Sequence, residues 1–179
     1  MSSNSVTVTY RRGRSYVQNR YQVKGPDKQP LVKDGRPVMQ TAHGLVGELW
    51  VHGLMFETIE RMDGYMHMKG GQTYRNSTIY WNGHYGSYVI NPWLGRKAEE
   101  KQGNILMHPA NHASHLEGCV SVGFLNPQGR LEDSKYSFDV LWDQCGGAAG
   151  AQQGQVVLNL VVEGDMPARS ACTAWCYTG

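Results

Sequence analysis

Residues 103–123 hold three of the chain's seven histidines and one of its four cysteines. His108 closes the apolar run Ile105-Leu106-Met107, and Cys119 follows a glycine and leads into the alternating Val120-Ser121-Val122. This pattern predicts two strand ends that present an imidazole to a thiol. Only the thiolate is a useful nucleophile, and a thiol near neutral pH needs a base within reach to supply it. Cys119 and His108 are therefore the candidate nucleophile and base. Gly118 has no Cβ, so the chain can turn beside the sulfur. A substrate carbonyl would then reach backbone N–H groups near residues 118–120, which would serve as an oxyanion hole. Pro109 and Asn111 stiffen and turn the chain after His108.

The same residues admit two other readings. His108, His112, His115 and Cys119 are ligand types that zinc accepts at short spacings. Cys119 is also the kind of residue that is buried as an inert thiol. His112 and His115 fit solvated loop positions and are assigned no role.

His108-Pro-Ala-Asn111 followed by Glu117-Gly118-Cys119-Val120 resembles the signature of a small phage- and secretion-associated domain family of unknown function. That signature is a His-Pro-Gly-Asn turn and then Glu-Gly-Cys. The family in turn looks like a shortened relative of the YkuD-type L,D-transpeptidases, in which a His-Gly turn precedes Ser-His-Gly-Cys. The resemblance covers roughly residues 44–125. It implies a cysteine enzyme acting on peptidoglycan stem peptides by L,D-transpeptidation, D-amino-acid exchange or L,D-carboxypeptidation. Three features depart from the YkuD pattern: a shorter His-to-Cys spacing, Glu117 where those enzymes carry His or Arg, and Ser121 in place of the Arg that follows. A cysteine peptidase or amidase of other specificity would use the same pair. A domain that binds cell wall, or forms part of a particle, would keep the fold without the chemistry.

The elements that must position these residues read as follows. Residues 5–10 alternate as a strand, and Arg11-Arg12-Gly13-Arg14 reads as a solvated basic turn. Residues 25–41 are turns and loop with a short hairpin at Asp34-Gly35, forming a lid or docking segment. Residues 44–61 read as two strands around a turn at His52-Gly53, with Leu49, Val51, Phe56 and Ile59 facing inward. Glu60 and Arg61 read as a structural salt link, with Arg61 also placed to grip a stem-peptide carboxylate. Residues 62–100 are loop-rich and aromatic, with a strand from Tyr85 into Asn91-Pro92. Trp81, His84 and Trp93 there, with Asn111 and Glu117 beside the pair, are the candidate substrate contacts. Tyr136–Trp142 reads as a strand or a short helix beneath the site, and residues 145–155 as a small-residue loop. Residues 156–163 form the strongest strand and a central one.

Twenty-two glycines, seven prolines and ten tyrosines, without a long helix-forming run, predict a mostly β chain. The expected architecture is a single-domain sandwich or partly closed barrel like the L,D-transpeptidase catalytic fold. Residues 1–43 would be a strand-and-loop extension, and 44–179 the catalytic domain of one compact unit. Seventeen basic against fifteen acidic residues leave a net charge of +2, too slight to recruit nucleic acid. The N-terminus shows no secretory leader and no stretch long enough to span a membrane. The sequence thus predicts synthesis in the cytoplasm and delivery to a target periplasm by another route. That route would be a type VI-like injection apparatus carrying an antibacterial toxin with its immunity protein, or phage lysis. With Cys119 reserved for chemistry, one disulfide is expected among Cys145, Cys172 and Cys176. No cofactor or resident metal is called for by the Cys/His chemistry.

Overall fold

The computed structural model describes residues 5–92 and 105–175. Its strands, in chain order, are β1 (Val6–Gln22), β2 (Val32–Lys33), β3 (Arg36–Pro37), β4 (Met39–Val51), β5 (Leu54–Arg61), β6 (Gln72–Asn82), β7 (Ser87–Asn91), β8 (Val120–Leu125), β9 (Leu131–Glu132), β10 (Gln155–Glu163) and β11 (Thr173–Trp175). Two helices, α1 (Ser134–Gln144) and the short α2 (Gly147–Gly150), interrupt them. The protein is mostly β, and its nine-stranded mixed sheet runs β7-β6-β10-β1-β4-β5-β8-β9, with β11 alongside the second half of β1. β10 and β11 lie parallel to β1, whereas β4 is antiparallel to it. The path of paired strands is not closed. Met107 lies between β7 and β8, exchanging hydrogen bonds with Ile90 of β7 and forming a parallel bridge to Val120 of β8.

Alternation along the strands builds two apolar clusters on opposite faces. On β5, Phe56, Thr58 and Glu60 point one way while Ile59 and Arg61 point the other, and all five are buried. The larger cluster gathers Val8, Tyr10, Leu49, Phe56, Met107, Val120 and Leu158. Helix α1 presses Phe138, Leu141 and Trp142 into it beside β7 and β8. The smaller cluster gathers Val17, Ala42, Ile59, Ala113, Leu116, Cys119 and Leu131 beneath the 109–117 loop. In β1 the buried parity is even at Val8, Tyr10 and Arg12 and odd at Val17 and Asn19. The change follows a bulge between Arg12 and Ser15.

The hairpin at Asp34-Gly35 forms between β2 and β3, both turn residues having positive φ of 50° and 71°. The turn at His52-Gly53 joins β4 to β5, and Leu49, Val51, Phe56 and Ile59 are all buried as expected. β10 sits inside the sheet between β6 and β1.

Other expectations are corrected. The basic run 11–14 is not a solvated turn: it belongs to β1, and Arg12 is buried against Glu60. Within the segment read as loop-rich, β6 is an eleven-residue strand between β7 and β10, its aromatics distributed over its two faces. Residues 147–150 form α2 rather than loop. The boundary at residues 43 and 44 falls inside β4, and β1 lies in the middle of the sheet. Glu60 and Arg61 do not pair with each other, because neighbours on a strand face opposite ways; Glu60 binds Arg12 and Arg61 lies near Asp63. Cys145 and Cys172 form no disulfide among the described residues, and Cys176 lies outside them. Cys145 is buried at the end of α1, and that burial pushes its thiol up to about 12. No helix among the described residues is long and apolar enough to cross a membrane.

Candidate active site

The register of the Met107–Val120 bridge places the candidate pair. His108 N–H donates to the Val120 carbonyl at 3.0 Å, and Val120 N–H donates to the Leu106 carbonyl at 3.1 Å. In a parallel bridge of this kind the residues flanking the bridged pair share the opposite face. His108 and Cys119 therefore lie on one face, a diagonal step apart, with Met107 and Val120 on the other. Cys119 ends the loop and β8 begins at the next residue, so the thiol stands at the mouth of a strand as the sequence implies. His108 does not end a regular strand; a single bridge residue sets its position.

His108 is 4% exposed, and its Nδ1 lies 3.1 Å from the Pro109 carbonyl oxygen. A carbonyl can only accept, so in the neutral ring Nδ1 carries the proton and Nε2 keeps the lone pair. Burial lowers the pKa of His108, and the nearby His84 and His115 add to the shift against the raising effect of the Pro109 bond. Burial also raises the thiol of Cys119, which is 6% exposed. The N–H groups of Leu106, 3.5 Å from Sγ, and of Glu117 point at the sulfur and favour the thiolate, whereas the carboxylates of Glu117 and Glu60 oppose it. Both shifts favour the neutral forms, thiol and imidazole.

Gly118 has φ +76°, and a Cβ there would stand 2.5 Å from the Met66 carbonyl oxygen and 2.9 Å from the Tyr65 Cβ. The 65–66 segment thus lies against the backbone just before Cys119, which only glycine permits. Ser121, which with Glu117 departs from the YkuD pattern, is fully buried. Its Oγ bonds both the N–H and the carbonyl of Ala110, at 2.8 and 2.6 Å, and meets Ser134 Oγ at 3.0 Å. It clamps the turn that carries His108 onto β8.

The remaining candidates fall at differing distances from the pair. Glu117 is exposed and its charge acts on Cys119. Asn111 is exposed and lines a cleft of about 720 Å³ with Pro109, His115, Glu132, Lys135 and Tyr136, a lining that includes neither Cys119 nor His108. Arg61 is 8% exposed; its Nη1 donates to the Ser114 and Leu116 carbonyls at 3.3 and 3.4 Å, and its guanidinium lies over Tyr21 and Tyr65. It holds the loop before Cys119 rather than facing solvent. Trp81 is 55% exposed and meets Tyr88 edge-on; Tyr88 in turn stacks on Trp142 of α1, so this aromatic row runs to the helix. His84 packs edge-on against Tyr85, and Tyr85 stacks on His108. Trp93 lies outside the described residues.

Three contributors escape the sequence. Tyr85 is one of ten tyrosines, and only the β6–β7 turn brings it to His108. Ser121 looks like any small residue in a strand. Asn19 is buried in β1, accepting from Ala113 N–H at 2.9 Å and donating to the Gly129 carbonyl at 3.1 Å, which ties the 112–116 loop to the sheet. Its signal is a lone polar residue at an inward position of β1, visible only once the bulge is known.

Among the described residues no group of three or more His, Cys, Asp or Glu side chains is placed to hold a metal ion. His112 and His115 face each other at 5.4 Å, but His112 Nδ1 is taken up by Ser114 Oγ at 2.6 Å. Comparison with protein-family models, curated proteins and solved structures found no match for this chain.

Proposed function

We propose that the chain is a cysteine-nucleophile enzyme acting on peptidoglycan stem peptides, with a catalytic fold of the L,D-transpeptidase kind. The observation that carries this reading is the parallel bridge at Met107, which puts His108 and Cys119 on one face with the Nδ1 proton of His108 held by the Pro109 carbonyl. In the proposed reaction, Cys119 Sγ attacks the carbonyl after the third residue of a stem tetrapeptide while its proton passes to His108 Nε2. Backbone N–H groups at the 118–120 turn hold the oxyanion. The C–N bond breaks, the departing D-amino acid takes the proton from Nε2, and a thioester remains on Cys119. An amine then resolves it by transpeptidation or exchange, or water resolves it by carboxypeptidation. Delivery to a target periplasm as an antibacterial effector with an immunity partner, or release in phage lysis, belongs to the same proposal.

The burial of Cys119 also suits a second reading, in which the thiol only packs the smaller core and the domain binds cell wall or forms part of a particle. Mass spectrometry of muropeptides after incubation with the protein separates the two. The enzyme reading expects tetrapeptides to be converted to tripeptides or cross-linked products, and expects Cys119→Ala to stop the conversion while keeping the fold. Unchanged tetrapeptides with the folded parent protein would favour the second reading.

A further inference from the structure

The Pro109 carbonyl holds one atom of the His108 ring. Rotation about χ2 is soft in histidine, so a single bond to Nδ1 leaves the plane of the ring free to tilt. A second contact removes that freedom: the ring of Tyr85 lies on the imidazole face with centroids 4.2 Å apart and planes 16° apart. Tyr85 is itself braced. His84 packs edge-on against it at 4.9 Å and 83°, and the turn is closed by the Asn82 side chain accepting from His84 N–H at 3.0 Å. Immediately beyond the turn, Asn82 pairs with Ser87 at the start of the β6–β7 ladder. Burial first, then the negative charge of an ionised Cys119 and of Glu117, raises the pKa of the Tyr85 hydroxyl, which places it near both.

We infer that Tyr85 is a positioning residue for His108, its ring fixing the imidazole plane so that Nε2 stays directed to the Cys119 face. This rests on the assignment of His108 as the base. The hydroxyl is not required; the flat ring is. The groups that act on His108 from the surrounding elements are His84 on the β6–β7 turn and His115 on the 113–115 turn, and those on Cys119 are Glu117 and Glu60.

The test compares the parent with Tyr85→Phe, Tyr85→Ala, Tyr85→Leu and His108→Ala, each checked for a parent-like thermal melt. Two quantities are read: the rate of Cys119 alkylation by iodoacetamide at neutral pH, and kcat and KM on a disaccharide tetrapeptide. His108→Ala is expected to slow alkylation strongly. Tyr85→Ala and Tyr85→Leu are expected to lower alkylation and kcat about tenfold with KM little changed, as suits a misaimed base. Tyr85→Phe is expected to stay close to the parent in both. Parent-like alkylation and kcat in folded Tyr85→Ala or Tyr85→Leu, with His108→Ala impaired, would overturn the inference and leave the Cys/His pair standing. The same holds if Tyr85→Phe is as poor as Tyr85→Ala. Parent-like alkylation in His108→Ala would overturn the base assignment itself, and this inference with it.

Discussion

Arg12 and Glu60 are joined inside the protein by two hydrogen bonds, Nε to Oε2 at 2.8 Å and Nη2 to Oε1 at 2.9 Å, with their side chains 1% and 0% exposed. Tyr10 donates its hydroxyl to the same carboxylate, and Arg12 also donates to the Met68 and Gly164 carbonyls. Burial alone would raise the Glu60 carboxyl, yet the bonds from Arg12 and Tyr10, with His67 Nδ1 3.3 Å from Oε1, hold it below the usual carboxylate range. Replacing Arg12 by Met strands a charge in the core and is expected to cost about 3–5 kcal/mol. Replacing both partners by apolar residues of similar size is expected to cost much less. Urea denaturation of the single and double variants reads this directly, and a single variant as stable as the parent would contradict it.

Gly118 and Gly64 provide a matched pair. Both have positive φ, +76° and +62°, but a Cβ at Gly64 meets nothing within 4 Å while one at Gly118 strikes the Met66 carbonyl. Gly64→Ala is expected to cost only the backbone term, roughly 1–2 kcal/mol. Gly118→Ala is expected to cost more and to lower turnover as the chain before Cys119 shifts. Equal melting temperatures for the two variants would show that the 65–66 segment does not press on Gly118.

His112 gives a pH dependence with a definite sign. Burial first, then His115, Arg130 and Arg61, hold its pKa down to about 4 from 6.5. A histidine whose folded pKa lies below its unfolded value stabilises the fold in its neutral form. That contribution is present above pH 6.5 and is lost as the pH falls through about 4. His108 and His115 act in the same direction. The urea midpoint is expected to fall between pH 7 and pH 4.5, and to fall less steeply in His112→Gln. An identical slope in the variant would contradict the assignment.

Much of this arrangement is legible in the sequence where local rules decide. Asp34-Gly35 and His52-Gly53 mark their turns, and the inward set Leu49, Val51, Phe56 and Ile59 follows from alternation. Cys119 at the mouth of β8 follows from the Gly-Cys-Val-Ser-Val pattern. What escaped was set by distant partners. Arg12 looks like part of a solvated basic run because its partner Glu60 is 48 residues away, although it keeps the inward parity of Val8 and Tyr10, and the bulge that follows it leaves no composition signal. β6 mixes polar and aromatic residues because each of its faces meets a different environment. Tyr85 reaches His108 through a turn between two strands whose pairing lies beyond any local pattern.

The most direct test is intact-mass analysis of the full chain after brief incubation with a disaccharide tetrapeptide and acid quenching. The parent is expected to carry an added mass equal to the substrate less its terminal D-amino acid. Peptide mapping is expected to place it on Cys119. Cys119→Ala should stay unmodified, and His108→Ala should accumulate the adduct far more slowly. Turnover of the substrate by folded Cys119→Ala, or an adduct on any other residue, would contradict the central claim that Cys119 is the nucleophile and His108 its base.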